Sequence, residues 1–191
     1  MARILVIDES RHRAVDICTG LIQAGHQVAA VLPSSFDLIG RIEEIEPDII
    51  LIETESPSRD TLEHLGVMNR MMPRPVVMFS QDGDAETIRS AIKAGVAAYV
   101  VDDFDIDRLR PVIEVAVAHF EEHQRLKHQL AEASRKLSER KTIEKAKGIL
   151  MKSRGLDEEA AYAALRKLAM DRGESLANVA ANVIEMAKLL L

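Results

Sequence analysis

The residues with the clearest chemical potential form a basic segment in the second half of the chain. Between positions 135 and 154, only Glu139 and Glu144 balance eight basic residues, which leaves a net charge of +6. A helix surface of this charge attracts a polyanion, either a nucleic acid or an acidic protein. The eight basic residues are Arg135, Lys136, Arg140, Lys141, Lys145, Lys147, Lys152 and Arg154.

A helix over this segment would place Gly148 in a stripe of lysines. Lys141, Lys145 and Lys152 share one helix face with the glycine by their spacing. Glycine inside a helix costs about 1 kcal/mol of stability relative to alanine. Its presence here is explained if a bulky ligand must approach the helix backbone closely. Two plainer explanations stay open: a solvated charged face, and a glycine required by tight packing of helices.

A second group of chemical interest is acidic. Asp8 and Glu9 follow the first apolar run of the chain, and Glu53 follows the third. Their carboxylates are candidate ligands for Mg²⁺, which prefers oxygen donors, or they are simply solvated strand ends. Ser80 ends the fourth run and could donate a hydrogen bond to a phosphoryl or carboxylate oxygen.

Five short apolar runs separated by helical patterns must position these acidic residues. Because the runs are apolar at consecutive positions, they predict parallel strands that are covered on both faces. The alternation predicts a doubly wound α/β sheet, whose chemistry lies at the carboxyl ends of the strands. The runs are 3–7, 27–32, 49–52, 75–79 and 98–101.

From about Asp105 the pattern is helical only. An apolar or tolerant residue recurs every three or four positions, which predicts a heptad seam and a parallel homodimer. The alternative is that this stripe packs against its own chain. The seam consists of Leu109, Ile113, Ala116, Phe120, His123, Leu126, Leu130, Ala133 and Leu137.

Helix-ending and helix-capping residues divide the last part of the chain. Gly155 and Gly173 each predict the end of a helix, while Asp157 and Ser175 predict the caps of the following two. The region from 138 to 191 is therefore expected to hold three short helices.

Composition narrows the class of protein. The 191 residues carry a net charge of -6, and 47% of them are hydrophobic, which is enough for a folded core. Residues 1–107 hold 19 acidic and 9 basic side chains, whereas residues 108–191 hold 12 acidic and 16 basic side chains, so two modules are expected.

Cys18 is the only cysteine, and no apolar run has the roughly 18 residues that span a bilayer. A reducing cytoplasm fits best, and no catalytic motif predicts an enzyme.

The first half of the chain resembles the receiver domain of bacterial response regulators over roughly residues 1–120. The matching stretches are 4–9, 47–53, 76–80 and 95–99. In that family an aspartate ending the third strand accepts a phosphoryl group, an acidic pair holds Mg²⁺, and a lysine after the fifth strand contacts the phosphate.

Two positions depart from the receiver pattern. Glu53 stands in place of the phosphorylated aspartate, and its extra methylene displaces the carboxylate by about 1 Å, which impairs in-line transfer. Asp102 and Asp103 stand where the lysine and a following proline are expected. Anions there would repel an incoming phosphoryl group, so we expect a pseudo-receiver whose surface docks a regulator.

The second half resembles the ANTAR domain over about residues 130–191, on the stretches 140–151, 155–156, 159–160, 165–170 and 176–180. The resemblance implies a three-helix bundle that binds paired RNA hairpins with six-nucleotide loops in leader transcripts and so prevents terminator formation. It further implies similarity to regulators of nitrate assimilation and of an amidase, with control by a nitrate-sensing partner. The RNA-binding residues expected are Arg140, Lys141, Lys145, Ala146, Lys147, Gly148, Met151, Lys152 and Arg154.

The predicted organisation is thus a pseudo-receiver over 1–120, a coiled-coil dimerisation helix over 110–140 and an ANTAR bundle over 130–191. The predicted function is RNA-binding transcription antitermination without a required cofactor, although Mg²⁺ could occupy the acidic pocket. Two alternatives stay open: a phosphorylation-gated response regulator, and a protein-interaction adaptor that binds no nucleic acid.

Overall fold

The computed structural model describes residues 1–34, 37–101 and 106–190. Contacts divide the chain into two compact units, Met1–Gln124 and Arg125–Leu191. Within the described ranges, no helix combines the length and the apolarity needed to cross a membrane.

The first unit is a five-stranded parallel sheet with helices on both faces, as the apolar runs predict. The strand order is β2-β1-β3-β4-β5, and every neighbouring pair is parallel. Its strands are β1 (Arg3–Asp8), β2 (Gln27–Leu32), β3 (Ile49–Thr54), β4 (Val76–Ser80) and β5 (Ala98–Val101). The helices between them are α1 (Arg11–Gln23), α2 (Leu38–Ile45), α3 (Arg59–Met71) and α4 (Ala85–Ala94).

Each face of the sheet has its own apolar core. On one face, Leu5, Ile50 and Met78 pack among residues of α2, α3 and α4. On the other face, Val6, Leu51 and Phe79 of the sheet pack with residues of α1 and α5 (Ile106–Arg154). The continuous burial of β1, β3 and β4 follows from this double cover.

The seam that predicts dimerisation is divided between two environments. Leu109, Ile113 and Ala116 are at most 2% exposed and belong to the core formed with the sheet. For these three residues the dimer prediction is wrong, because a helix that follows the last strand must cover the open sheet face with its apolar stripe. Further along α5, Leu126, Leu130 and Leu137 are 51%, 72% and 55% exposed.

The second unit is a bundle built from the end of α5 together with α6 (Glu158–Arg172) and α7 (Leu176–Leu190). The first of the three short helices predicted is thus the last part of a 49-residue helix. Gly155 follows α5 with φ +63°, and Gly173 ends α6 with φ +65°, a conformation that suits glycine. The core of this bundle contains Ala146, Leu165, Ala169, Val179 and Ala180.

Candidate nucleic-acid interface and acidic pocket

Most of the predicted RNA-binding side chains lie on the surface of the second unit. At the end of α5, the long side chains are exposed on the face that carries Gly148, which is itself partly exposed. The exposed residues are Arg140, Lys141, Lys145, Met151, Lys152 and Arg154.

Ala146 lies on the opposite face of the helix. It is 0% exposed and packs in the bundle core with Leu165 and Val179. The prediction that Ala146 contacts RNA is therefore wrong, because its side chain has no surface left to offer. Its partners Ile143 and Leu150 pack against the same core, as their spacing predicts.

Lys147 is directed into contacts within its own unit. Its Nζ donates to Glu144 Oε1 at 2.9 Å and to Glu158 Oε1 at 2.7 Å, and the side chain is 9% exposed. The hydrogen bonds that Lys147 donates to these carboxylates, the one to Glu158 foremost, raise the pKa of Lys147, and the bond to Glu158 lowers the pKa of that carboxyl group. Lys147 thus joins the end of α5 to the first turn of α6. Its positive charge is paired with the carboxylates of Glu144 and Glu158.

Gly148 faces open space. A Cβ added to this residue would meet no heavy atom within 4 Å. Tight packing of helices therefore does not explain the glycine, and its helix-destabilising cost has no compensation within the bundle. Two explanations remain for Gly148: a solvated charged face, and a close approach by a molecule outside the bundle.

The two helices that support this face begin at the caps that the sequence predicts. Asp157 accepts a hydrogen bond from the backbone N–H of Ala160 at 2.7 Å, and Ser175 accepts one from Asn178 at 3.2 Å. Glu158 and Glu159 occupy the first turn of α6, where the helix dipole favours negative charge. The cap at Asp157 also fixes where Glu158 can meet Lys147.

In the first unit, two of the predicted acidic residues, Glu9 and Glu53, line a polar cavity of about 460 Å³ at the carboxyl ends of β1 and β3. Asp8 and Glu53 are register partners on these adjacent strands and are 3% and 5% exposed. The Oδ1 atom of Asp8 accepts a hydrogen bond from the backbone of Ser10 at 2.7 Å and lies 3.6 Å from an Arg13 nitrogen. Glu9 lines the cavity but is exposed.

These residues do not form a ready metal site. Receiver domains commonly bind Mg²⁺ at the phosphorylation site, yet among the residues that the structure covers no three acidic, histidine or cysteine side chains are grouped to hold a metal ion. Arg13 supplies a cation beside Asp8 instead. The predicted set of Asp8, Glu9 and Glu53 therefore does not fit Mg²⁺ as it is arranged.

Ser80 is buried, and its hydroxyl already has hydrogen-bond partners within the protein. Its hydroxyl donates to the Glu55 carbonyl at 3.0 Å and accepts from the Asp82 backbone at 3.2 Å. Asp82 in turn accepts a hydrogen bond from Ser56 at 2.7 Å, which is the main cause of the lowered pKa of Asp82. These bonds join the loops after β3 and β4. The predicted substitution at Asp102 and Asp103 lies outside the described residues.

Two functional contacts escape the sequence patterns. Arg13 lies five positions after Asp8 in the following helix, and only the fold shows that its head reaches back to the strand end. Glu158 is eleven positions from Lys147 and on another helix. The contact between Glu144 and Lys147 could have been predicted from the sequence, because residues three positions apart on a helix commonly form ion pairs.

The fold and these two sites together define a class: a receiver-type α/β unit followed by a small helical bundle. Protein-family profiles match the response regulator receiver domain over residues 4–114 and the ANTAR domain over residues 131–191. The chain therefore belongs to the response regulators, as an ANTAR-domain member.

Individual relatives agree with this assignment. The transcriptional regulatory protein PdtaR of Mycobacterium tuberculosis is 28% identical over 183 residues, which cover 96% of this chain and 89% of that protein. The nitrate regulatory protein of Klebsiella oxytoca is 44% identical over 68 residues, which cover 36% of this chain and 17% of that protein.

Among solved structures, the signal receiver domain of a modulated diguanylate cyclase from Desulfovibrio desulfuricans G20 superposes with a TM-score of 0.56. That match is 19% identical and covers 64% of this chain and 98% of that chain. A response regulator from Thermotoga maritima gives a TM-score of 0.54 at 17% identity, covering 62% of this chain and 99% of that one. At these identities the likeness concerns the fold of the first unit.

Proposed function

We propose that this protein is an RNA-binding transcription antiterminator that binds paired six-nucleotide-loop hairpins in a leader transcript. The observation that carries the proposal is the exposed basic face at the end of α5, where Gly148 opens the backbone to a ligand. Phosphates would contact the lysines on either side, while the glycine lets the loop approach the helix closely.

The RNA contacts that we propose are those of the exposed side chains. Lys141, Lys145 and Lys152 are free to reach phosphates, with Arg140 and Arg154 at the ends of the same segment. Lys147 has a different role, since Glu144 and Glu158 hold its amino group. Each lysine that contacts a phosphate contributes about one unit to the slope of log affinity against log salt.

Two copies of the basic face would serve two hairpins in one complex. The exposed leucines at 126, 130 and 137 recur with heptad spacing along α5, and burial against a second copy would remove them from water. We therefore propose a homodimer through this part of α5, in the cytoplasm where transcripts are made.

Control of the proposed antiterminator rests on a sensor partner and not on phosphorylation. Glu53 holds the phosphoacceptor position, and Arg13 already stands beside the buried Asp8. Similarity to a nitrate regulatory protein supports a small-molecule sensor, with nitrate as the first candidate signal. Release from that sensor would expose the RNA-binding face.

A gel-shift titration with leader RNA from the protein's own operon tests the proposal. We expect saturable binding to the paired hairpins, a steep salt dependence, and weaker binding to RNA with scrambled loops. Equal affinity for both RNAs would contradict loop recognition. Absence of RNA binding together with a stable complex with an acidic protein would favour the adaptor alternative.

A further inference from the structure

One large side chain on the second unit has no role in its core. Tyr162 is the only aromatic residue after Phe120, and it is 43% exposed. The buried residues of α6 are Ala161, Leu165 and Ala169, and Tyr162 is not among the apolar residues packed on the bundle core. The fold of the bundle therefore does not explain an aromatic ring at this position.

The position of Tyr162 connects it to the basic face. Lys147 Nζ lies 2.7 Å from Glu158 Oε1, so the first turn of α6 lies beside the residue that precedes Gly148. Tyr162 follows Glu158 by four residues and hence lies one turn along the same side of α6. Arg166, which is exposed, follows by four more. Tyr162 therefore lies one turn along α6 from the contact between the two helices, with the exposed Arg166 one turn further on.

The chemistry of a phenol ring differs from that of the lysines. Lysines contact phosphates and carry little information about the bases, whereas an exposed aromatic face stacks on unpaired bases of RNA loops. Stacking on one base changes affinity by about 5- to 150-fold in alanine substitutions. A ring beside a phosphate-binding face is therefore placed to receive a base that leaves the loop stack.

We propose that Tyr162 stacks on an unpaired base of the bound RNA loop and so supplies the base contact that the lysine stripe lacks. This inference rests on the proposed function, because it requires the loop to approach Gly148. The phenol hydroxyl is not needed for stacking, so phenylalanine is expected to replace tyrosine at this position with little loss.

The chain provides its own optical probe. It contains no tryptophan and only two tyrosines, and the other, Tyr99, lies in the first unit with its hydroxyl bonded to the Asp82 carbonyl. In a Tyr99→Phe background, tyrosine emission reports on Tyr162 alone. We expect a synthetic hairpin with a six-nucleotide loop to quench this emission in a saturable manner, and a loop-free duplex of the same length to quench it much less.

Affinity of the 191-residue protein for the same hairpin gives the second readout. Tyr162→Ala should weaken binding by about 5- to 150-fold, Tyr162→Phe should retain it, and Met170→Ala, an exposed residue on the same helix, should leave it unchanged. Circular dichroism and thermal unfolding verify that each variant is folded.

The outcomes separate this inference from the proposed function. If Tyr162→Ala binds the hairpin as tightly as the parent while Lys145→Glu does not, RNA binding stands and the stacking proposal is overturned. Equal quenching by the hairpin and the duplex also overturns it. If the parent protein binds neither RNA, both proposals fail.

Discussion

At the scale of single residues, substitution of Gly148 is predicted to have opposite effects on stability and on RNA affinity. Gly148→Ala should raise the free energy of unfolding by about 1 kcal/mol, since alanine favours the helix and the new methyl group meets nothing. The same change should weaken RNA binding, and Gly148→Gln should weaken it more. Chemical denaturation and hairpin titration measure the two effects on the same samples.

A matched control exists in α3. Gly66 is also an internal helix glycine, and a Cβ there would meet only the end of the Arg70 side chain at 3.7 Å. Gly66→Ala should therefore raise stability without any change in RNA affinity. Unchanged RNA affinity in both Gly148 variants would show that the glycine is not a site of close approach.

The ion pair of Lys147 predicts a pH dependence of stability. Lys147 lowers the pKa of Glu158 from 4.5, so the pair contributes stability above that value, and the contribution is lost as pH falls through the lowered pKa. At the other end, the raised pKa of Lys147 keeps the contribution intact up to its ordinary value of 10.5. Glu158→Gln should thus destabilise the protein at pH 7, and the destabilisation should be smaller at pH 3.

Urea unfolding of the parent and of Glu158→Gln at both pH values measures this difference. Glu159→Gln is the matched control, because Glu159 is the neighbouring exposed glutamate in the same helical turn. Destabilisation of equal size at pH 3 and pH 7 would argue against the ion pair as its cause.

At the residue scale, the sequence predicts the charge of the basic segment and shows which lysines share one helix face. The same spacing places Ala146 with Ile143 and Leu150 on the inner face of the helix. The prediction that Ala146 contacts RNA disagreed with that spacing. The partner of Lys147 was beyond reach, since Glu158 meets it only after the chain reverses direction at Gly155. Spacing along one helix carries no information about contacts between helices.

At the scale of elements, α5 gives a prediction about association. Leu130→Lys should shift the protein from dimer to monomer, because it places a charge in the exposed apolar stripe. Stability of the receiver-type unit should not change, as Leu130 lies outside it. Sedimentation equilibrium measures the first effect and thermal unfolding the second.

Val115→Lys is the corresponding control, because Val115 is 51% exposed on the same helix but outside the seam. It should leave the oligomeric state unchanged. A Leu130→Lys variant with the parent's molar mass in solution would contradict dimerisation through this stripe.

The elements themselves were largely predictable. Buried parallel strands need apolar residues on both faces, so β1, β3 and β4 stand out as continuous runs. The spacing of the apolar residues could not show which part of α5 packs on the sheet and which part pairs with a second copy. In both kinds of helix, apolar residues recur every three or four positions. Only the position of α5 after β5 shows that Leu109, Ile113 and Ala116 face the sheet.

At the scale of the whole molecule, the acidic pocket bears on how the protein is controlled. Incubation with acetyl phosphate and Mg²⁺ should leave the intact mass unchanged, because Glu53 lengthens the acceptor and its pocket holds no three-ligand metal site among the described residues. Mass spectrometry, with a phosphorylatable receiver as positive control, makes the measurement. A phosphoryl adduct on Glu53 would establish the phosphorylation-gated alternative.

The distribution of charge over the whole chain also fits two roles. The acidic first half disfavours contact with nucleic acid, while the basic segment in the second half attracts it. Binding of RNA by the whole protein should thus depend on one segment, and removal of its charge should abolish function without unfolding the chain.

Terminator readthrough in a transcription assay with the protein's own leader RNA tests this central claim most directly. Lys145→Glu, and more strongly its combination with Lys141→Glu and Lys152→Glu, should abolish readthrough, while Lys188→Glu on α7 should preserve it. Readthrough at the parent level by the folded triple variant would contradict the account.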